Sequence, residues 1–297
     1  IFLVMAGYLA AQSLSRYANN KFSANVLLKI ILNRYLRLFA PYAAALIFTI
    51  LCAYIARFWV NDEFVGESET LSQFLAHLFF IQGILGLDSI SAGAWYIAID
   101  WQLYSVLALL LITFSSYQAV IWVISILAVA SLLIFNRSGE YEAYFIYFIG
   151  AYGLGVLAYL SSSFQNLSVN RIAKISLALI GLVIAISSFQ QIWLRNYLAW
   201  VVAIMLLFWG RAPYPDGTQD NLFMKAISWG SKRSYCAFLI HFAFILLANT
   251  LYIALGLNEY ESGTLAIGLM LAVVLCSVIA ASYLYRWIEL PSVKLKV

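Results

Sequence analysis

Residues 93–111 read GAWYIAIDWQLYSVLALLL, a run whose single charged residue is Asp100. A stretch this long and apolar matches the ~20 residues that an α-helix needs to cross the ~30 Å hydrocarbon core of a bilayer. Outward from it the chain repeats the pattern. Apolar stretches lie at Ile1–Leu14, Leu36–Ala56, Ala94–Ser115, Gln118–Phe135, Ala143–Ser161, Ile172–Phe189, Asn196–Gly210, Ser234–Leu255 and Gly263–Trp287, separated by short polar breaks. The expected fold class is all-α, a polytopic membrane bundle of about nine spanning helices. Residues 1–297 read as a single transmembrane domain.

Composition agrees. The 297 residues are 64% hydrophobic and only 10% charged, with a mean hydropathy of +0.91. Soluble domains average about 45–50% apolar and about 25% charged, so too few charges are present to cover a water-exposed surface of this size. Disorder, collagen and coiled coil fail on the same numbers. Cys52, Cys236 and Cys276 lie scattered in apolar runs, which argues against a disulfide framework or a zinc site. Two histidines, His77 and His241, exclude a His-rich metal centre. The net charge of +4 reports orientation rather than affinity for nucleic acid.

The stretch Phe74–Leu87 is too short for a full crossing and suits a re-entrant segment. Basic residues decide it. If it does not cross, one side of the membrane holds fourteen of the seventeen Lys and Arg, among them Arg16, Arg34, Arg37, Arg171, Arg233, Arg286 and Lys294. The other side keeps Arg57, Arg137 and Arg195 together with the acidic loops of Asp62, Glu63, Glu67, Glu69, Glu259 and Glu261. The positive-inside rule then places the basic side in the cytoplasm. The chain begins in mid-helix, without an initiating Met or a cleavage site, and reads as truncated at its N-terminus.

Ionisable residues at membrane depth are costly and mark pathways or reaction centres. On a helix Asp100 shares a face with Tyr96 and Tyr104 at i−4 and i+4, so two phenols are placed to bond the carboxylate. The competing reading is a carboxylate kept for packing. His241, about eight residues into its span, is suited to general-base work near neutral pH, against the alternative of a buried histidine with one hydrogen bond. His77 reads as interfacial. Arg34 and Arg37 stand at i, i+3 where the cytoplasm meets a span; paired guanidiniums suit a phosphate or pyrophosphate, though flanking basic residues also set topology. Arg286 and Glu289, again i, i+3, read as a helix-end ion pair before Pro291.

In order along the chain, five segments resemble the acyltransferase-3 family of membrane O-acyltransferases. They are VMAGYLA, NRYLRLFAPY with Arg34, Arg37, Pro41 and Tyr42, GAWYIAIDWQLY with Asp100 where Glu is more usual, SKRSYCAFLIH with Ser234, Tyr235, Phe238 and His241, and YRWIELP with Arg286 and Glu289. The resemblance implies about ten spans in the full protein and a first helix, absent here, carrying the family's basic residue and catalytic histidine. It implies transfer of an acyl group, usually acetyl from acetyl-CoA, to a hydroxyl of a cell-surface or lipid-linked saccharide in a bacterial inner membrane. Within this chain it makes His241 and Asp100 the catalytic candidates and Arg34 and Arg37 the acetyl-CoA contacts. Trp95, Tyr104, Ser234, Tyr235 and Glu289 become candidate substrate contacts, with the acceptor sugar expected near the acidic outer loops and Trp95. Membrane lipids are the other expected partner; no metal and no nucleic acid are expected. The competing class is a transporter or flippase, which also keeps lone Asp and His in its spans, but its inverted repeats and broken mid-membrane helices are not evident.

Overall fold

The computed structural model describes residues 1–17, 23–60, 65–163, 166–187, 194–210, 221–257 and 263–294. Every regular element among them is helical: α1 (Phe2–Leu14), α2 (Ala24–Arg57), α3 (Leu71–Leu78), α4 (Ala94–Thr113), α5 (Tyr117–Leu133) and α6 (Phe145–Ser163). These are followed by α7 (Leu167–Ser187), α8 (Leu194–Trp209), α9 (Leu222–Ser231), α10 (Ser234–Ala254), α11 (Gly263–Leu284), a π turn over Tyr285–Glu289, and the short α12 (Leu290–Ser292). Among the described residues seven helices are long and apolar enough to span a membrane. The other two of the nine expected spans correspond to α1, with 13 residues, and the apolar helix α8, with 16 among the described residues.

Two elements differ from expectation, and a third, the segment expected not to cross, differs only in its bounds. Helix α2 starts twelve residues before the expected Leu36 and runs unbroken through Pro41, because Leu27, Ile30 and Ile31 continue its apolar face while Lys29 and Arg34 add polar positions. Helix α9 was hidden by its Gly and Ser residues. Helix α3 is only eight residues, about 12 Å at 1.5 Å per residue, so it does not cross. Thr70 and Gln73 close a reciprocal capping box at its start, and the chain continues through turns to Gly93.

The helices group into two compact units, Ile1–Ile31 with Ala98–Pro213, and Leu32–Ile97 with Tyr214–Val297. In the first, α6 is central: 72% of its most apolar window is buried, and α1, α5, α7 and α8 pack around it. Gly7 and Gly155 let α1 and α6 meet backbone to backbone, since a Cβ on Gly7 would strike the Tyr152 carbonyl and one on Gly155 the Val4 carbonyl. At one end Tyr117 and Tyr159 donate to the carbonyl and hydroxyl oxygens of Ser15, at 3.1 and 3.2 Å. Elsewhere in this unit Arg195 Nη2 donates to Asn136 O, Asn136 Oδ1 and the Tyr147 hydroxyl at 2.9–3.0 Å.

In the second unit α10 packs along α11, whose outer face presents Met270, Leu271, Val274 and Leu275, as a lipid-facing helix does. Arg57 clamps the turn before α3: it donates to both carboxylate oxygens of Glu69 at 2.8 and 3.0 Å and to the Glu67 carbonyl at 2.6 Å. His77, fully buried within the protein, holds the return path. Its Nδ1 donates to Gln73 O at 2.8 Å and its Nε2 accepts from the Ile90 amide at 3.1 Å. That pairing requires a neutral ring.

Burial pulls the His77 imidazole below its usual range, the bond to Gln73 O opposing less strongly. Because the unfolded chain then binds the proton more readily, His77's contribution is complete above about pH 6.5 and declines as pH falls toward the folded value. The melting temperature of the wild type in detergent is expected to fall between pH 7.5 and 5.5. His77→Ala should be less stable at neutral pH, by about 2–4 kcal/mol for two lost bonds and an orphaned amide, and should lose that part of the acid dependence. An unchanged acid slope in His77→Ala would show that the staple does not titrate.

Candidate active site

Helices α2 and α10 run side by side in the second unit, and three contacts fix their register. The Tyr235 hydroxyl donates to Leu38 O at 3.0 Å. Four residues on in both helices, Tyr42 and Leu239 line one narrow slot. Further along, the Phe48 and Phe244 rings meet at 5.6 Å. The two helices therefore start from the same end and carry their polar residues to matching depths: Arg34 and Arg37 lie within a turn of the Tyr235 bond on one side, and His241 lies six residues past it on the other.

Arg37 is exposed and Arg34 partly so. Arg233, just before α10, is not one of the candidates read from sequence. Its guanidinium lies 4.2 Å over the Trp229 ring and 5.1 Å from the Tyr285 ring, and donates to Trp229 O at 2.9 Å. These contacts gather the ends of α9 and α11 around the first turn of α10, adding a third cation to the basic end of this unit.

His241 is partly buried. Its Nδ1 bonds the Phe238 carbonyl at 2.7 Å. A carbonyl can only accept, so Nδ1 carries a proton, and in the neutral ring Nε2 then keeps its lone pair. This is the tautomer of a base, set by α10's own backbone. The Phe238 ring also covers Gly93, where an added Cβ would come within 3.1 Å of it, and meets the Tyr96 ring at 5.4 Å. Trp95, the expected sugar platform, is 45% exposed in the first turn of α4, beside Gly93 and Ala94 of the slot. Of the acidic loops expected nearby, Asp62, Glu63, Glu259 and Glu261 lie outside the described residues, and Glu69 is bound by Arg57.

Glu289 is buried and accepts from the Cys236 thiol at 2.9 Å. It makes no ion pair with Arg286, which lies exposed with its guanidinium 6.0 Å from the Trp287 ring. The i, i+3 reading fails because the chain takes a π turn here, whose wider i→i+5 ladder removes the two residues from a common face. Ser234, exposed, donates to Ser231 O at 2.8 Å. Asp100 and Tyr104 belong to the first unit; α4 is unbroken, so Tyr96, Asp100 and Tyr104 keep their i, i+4, i+8 spacing. Asp100 is only 4% exposed, and Tyr104 packs against that unit's apolar core.

Residues 1–286 match the acyltransferase-3 family, described as an acyltransferase domain. The chain belongs to that family. It is therefore a membrane acyltransferase, and the helical architecture is that of a polytopic membrane protein. No curated protein and no solved structure matches it.

The residues that sequence reading left without a role are Tyr42, Gln82, Cys236 and Arg233. Tyr42 alone carried a signal, standing in the NRYLRLFAPY segment.

Proposed function

We propose that this membrane acyltransferase moves acetyl from acetyl-CoA to a hydroxyl of a cell-surface or lipid-linked saccharide, at a bacterial inner membrane. The observation that supports it best is the matched register of α2 and α10, which sets Arg37, exposed, and Arg34, partly exposed, within a turn of the Tyr235 bond and a histidine whose Nδ1 bonds the backbone six residues beyond it. Acetyl-CoA presents a pyrophosphate and a 3′-phosphate to such a pair, and guanidinium binds phosphate with two parallel donors. A sugar hydroxyl is a poor nucleophile at neutral pH and needs a base as it attacks the thioester. His241 is that base, or the support of one. Asp100 is the second catalytic candidate, a buried carboxylate in a spanning helix.

The substrate roles divide by what each side chain already does. Trp95 and Ser234 present exposed groups to the ligand, and Tyr104 lies one turn beyond Asp100 on α4. Tyr235 and Glu289 hold the starts and ends of α10 and α11 in place through Leu38 and Cys236.

Arginine tests the donor half. Labelled acetyl-CoA is expected to bind the full chain in detergent, and Arg37→Ala to bind it about 10- to 100-fold more weakly, the equivalent of one charge-assisted contact of ~1.5–3 kcal/mol. Equal binding by both proteins would remove Arg37 from the donor site.

A further inference from the structure

We propose that the slot bounded by Tyr42, Ser91, Gly93, Ala94 and Leu239 receives the acyl carbonyl of the thioester, and that the Tyr42 hydroxyl donates a hydrogen bond to its oxygen. The inference rests on the acyl-transfer reading above and adds to it the group that stabilises the transition state.

Tyr42 is 1% exposed, and its hydroxyl has no hydrogen-bond partner among the described residues. Most buried hydroxyls are paired, because leaving one unpaired forfeits its hydration without replacement. An orphaned donor at the wall of a slot is therefore best explained by a ligand acceptor. A second orphan lies nearby in the fold: Gln82 is 1% exposed, its Nε2 donates to the carbonyl of slot residue Ala94 at 3.3 Å, and its Oε1 has no partner among the described residues. The Tyr42 ring is itself fixed, meeting Phe80 edge-on at 5.3 Å. That contact aims the hydroxyl without using it.

The remaining walls are apolar or backbone. Gly93 admits the Phe238 ring so closely that a larger residue would displace it. Such a lining suits a short acyl group and excludes water, which strengthens a hydrogen bond to developing charge. As it stands the slot has no room even for a water molecule, so Phe238 or Leu239 must move aside as the acyl group enters. Phe238, whose ring covers Gly93 of the slot, also meets the His241 imidazole, the ring centroids lying 5.9 Å apart, so the base stands directly behind one wall of the slot.

The step balances with the two substrates alone. The acceptor oxygen bonds to the acyl carbon as its proton passes to His241 Nε2, and the carbonyl electron pair moves onto the oxygen held by Tyr42. That pair then returns, the carbon–sulfur bond breaks, and the leaving thiolate takes the proton back from His241. Ester and thiol are the products.

Tyr42→Phe keeps the ring on Phe80 and removes only the orphaned hydroxyl, so its melting temperature should be unchanged or higher. Its kcat for thiol release from acetyl-CoA is expected to fall about 10²–10³-fold, the usual effect of one oxyanion donor, with the KM for acetyl-CoA within about threefold of wild type. A second readout does not need turnover. With acetyl-CoA labelled by ¹³C at the thioester carbonyl, the infrared carbonyl band of the bound donor should lie lower in wild type than in Tyr42→Phe. An unchanged kcat, a change confined to KM, or identical bands in the two proteins would overturn the proposal while leaving the acyltransferase reading intact. A wild type that neither binds nor cleaves acetyl-CoA would overturn both.

Discussion

His241→Gln is expected to lower acyl transfer about 10²–10⁴-fold, the range general-base catalysis contributes, while the protein still folds and binds acetyl-CoA. Glutamine fills a similar volume and its amide nitrogen can donate to the Phe238 carbonyl, replacing the bond that Nδ1 makes at 2.7 Å. It cannot take a proton. The loss should therefore fall on kcat, with KM for the donor little changed, because the phosphate contacts proposed for Arg34 and Arg37 are untouched. A rise in KM at constant kcat would instead make His241 a binding or packing residue. Thiol release measured under saturating donor separates the two.

The second large effect is structural. Gly155→Leu, and equally Gly7→Leu, should prevent the first unit from assembling, seen as loss of a monodisperse peak and of a cooperative melt in detergent. At Gly155 a new Cβ lands on the Val4 carbonyl and close to the Tyr8 amide, and at Gly7 on the Tyr152 carbonyl. Backbone atoms of two packed helices cannot rotate away as a side chain end can, so α1 and α6 would have to separate. Overpacking of an ordinary core costs about 1–3 kcal/mol; here the collapse of a whole helix contact exceeds that. Gly268 on α11 is the control, since nothing lies within 4 Å of its added Cβ, and Gly268→Leu should melt as wild type does. A stable Gly155→Leu protein would mean that α1 and α6 do not meet at these glycines.

The spanning helices were legible because twenty apolar residues at a stretch leave few alternatives in a chain that is 64% hydrophobic. Helix ends were less so. Before Leu36 the apolar face of α2 continues through Leu27, Ile30 and Ile31, but Lys29 and Arg34 interrupt the unbroken apolar run by which a span is read, which hides the start at Ala24. That the segment Phe74–Leu87 is too short to cross is legible from its own length and from the distribution of Lys and Arg across the whole chain; that its helix is Leu71–Leu78 is not.

At the site, Arg37 and His241 stood out because charge and imidazole are conspicuous in apolar sequence. Asp100 stood out equally, and its burial agrees with that reading of a costly group. What sequence could not give is pairing at long range. The Cys236–Glu289 bond joins residues 53 apart, and Tyr235 reaches Leu38 across 197. The Arg286–Glu289 spacing misled because helical periodicity assumes an α turn where the chain makes a π turn. Tyr42 stood in the NRYLRLFAPY segment without a role: a tyrosine in a spanning helix is ordinary, and only the lack of a partner for its hydroxyl among the described residues sets it apart.

The central claim, that the protein moves acyl groups from an acyl-CoA thioester to a sugar hydroxyl, is tested most directly by free thiol. The full chain, purified in detergent, is given acetyl-CoA with and without free hexoses or lipid-linked glycans extracted from bacterial membranes. The account predicts thiol release that rises when a competent acceptor is added, appears stoichiometrically as acetyl ester on that acceptor, and is lost in His241→Gln. Thiol release that ignores every acceptor, or none at all from a protein that melts normally, would contradict it.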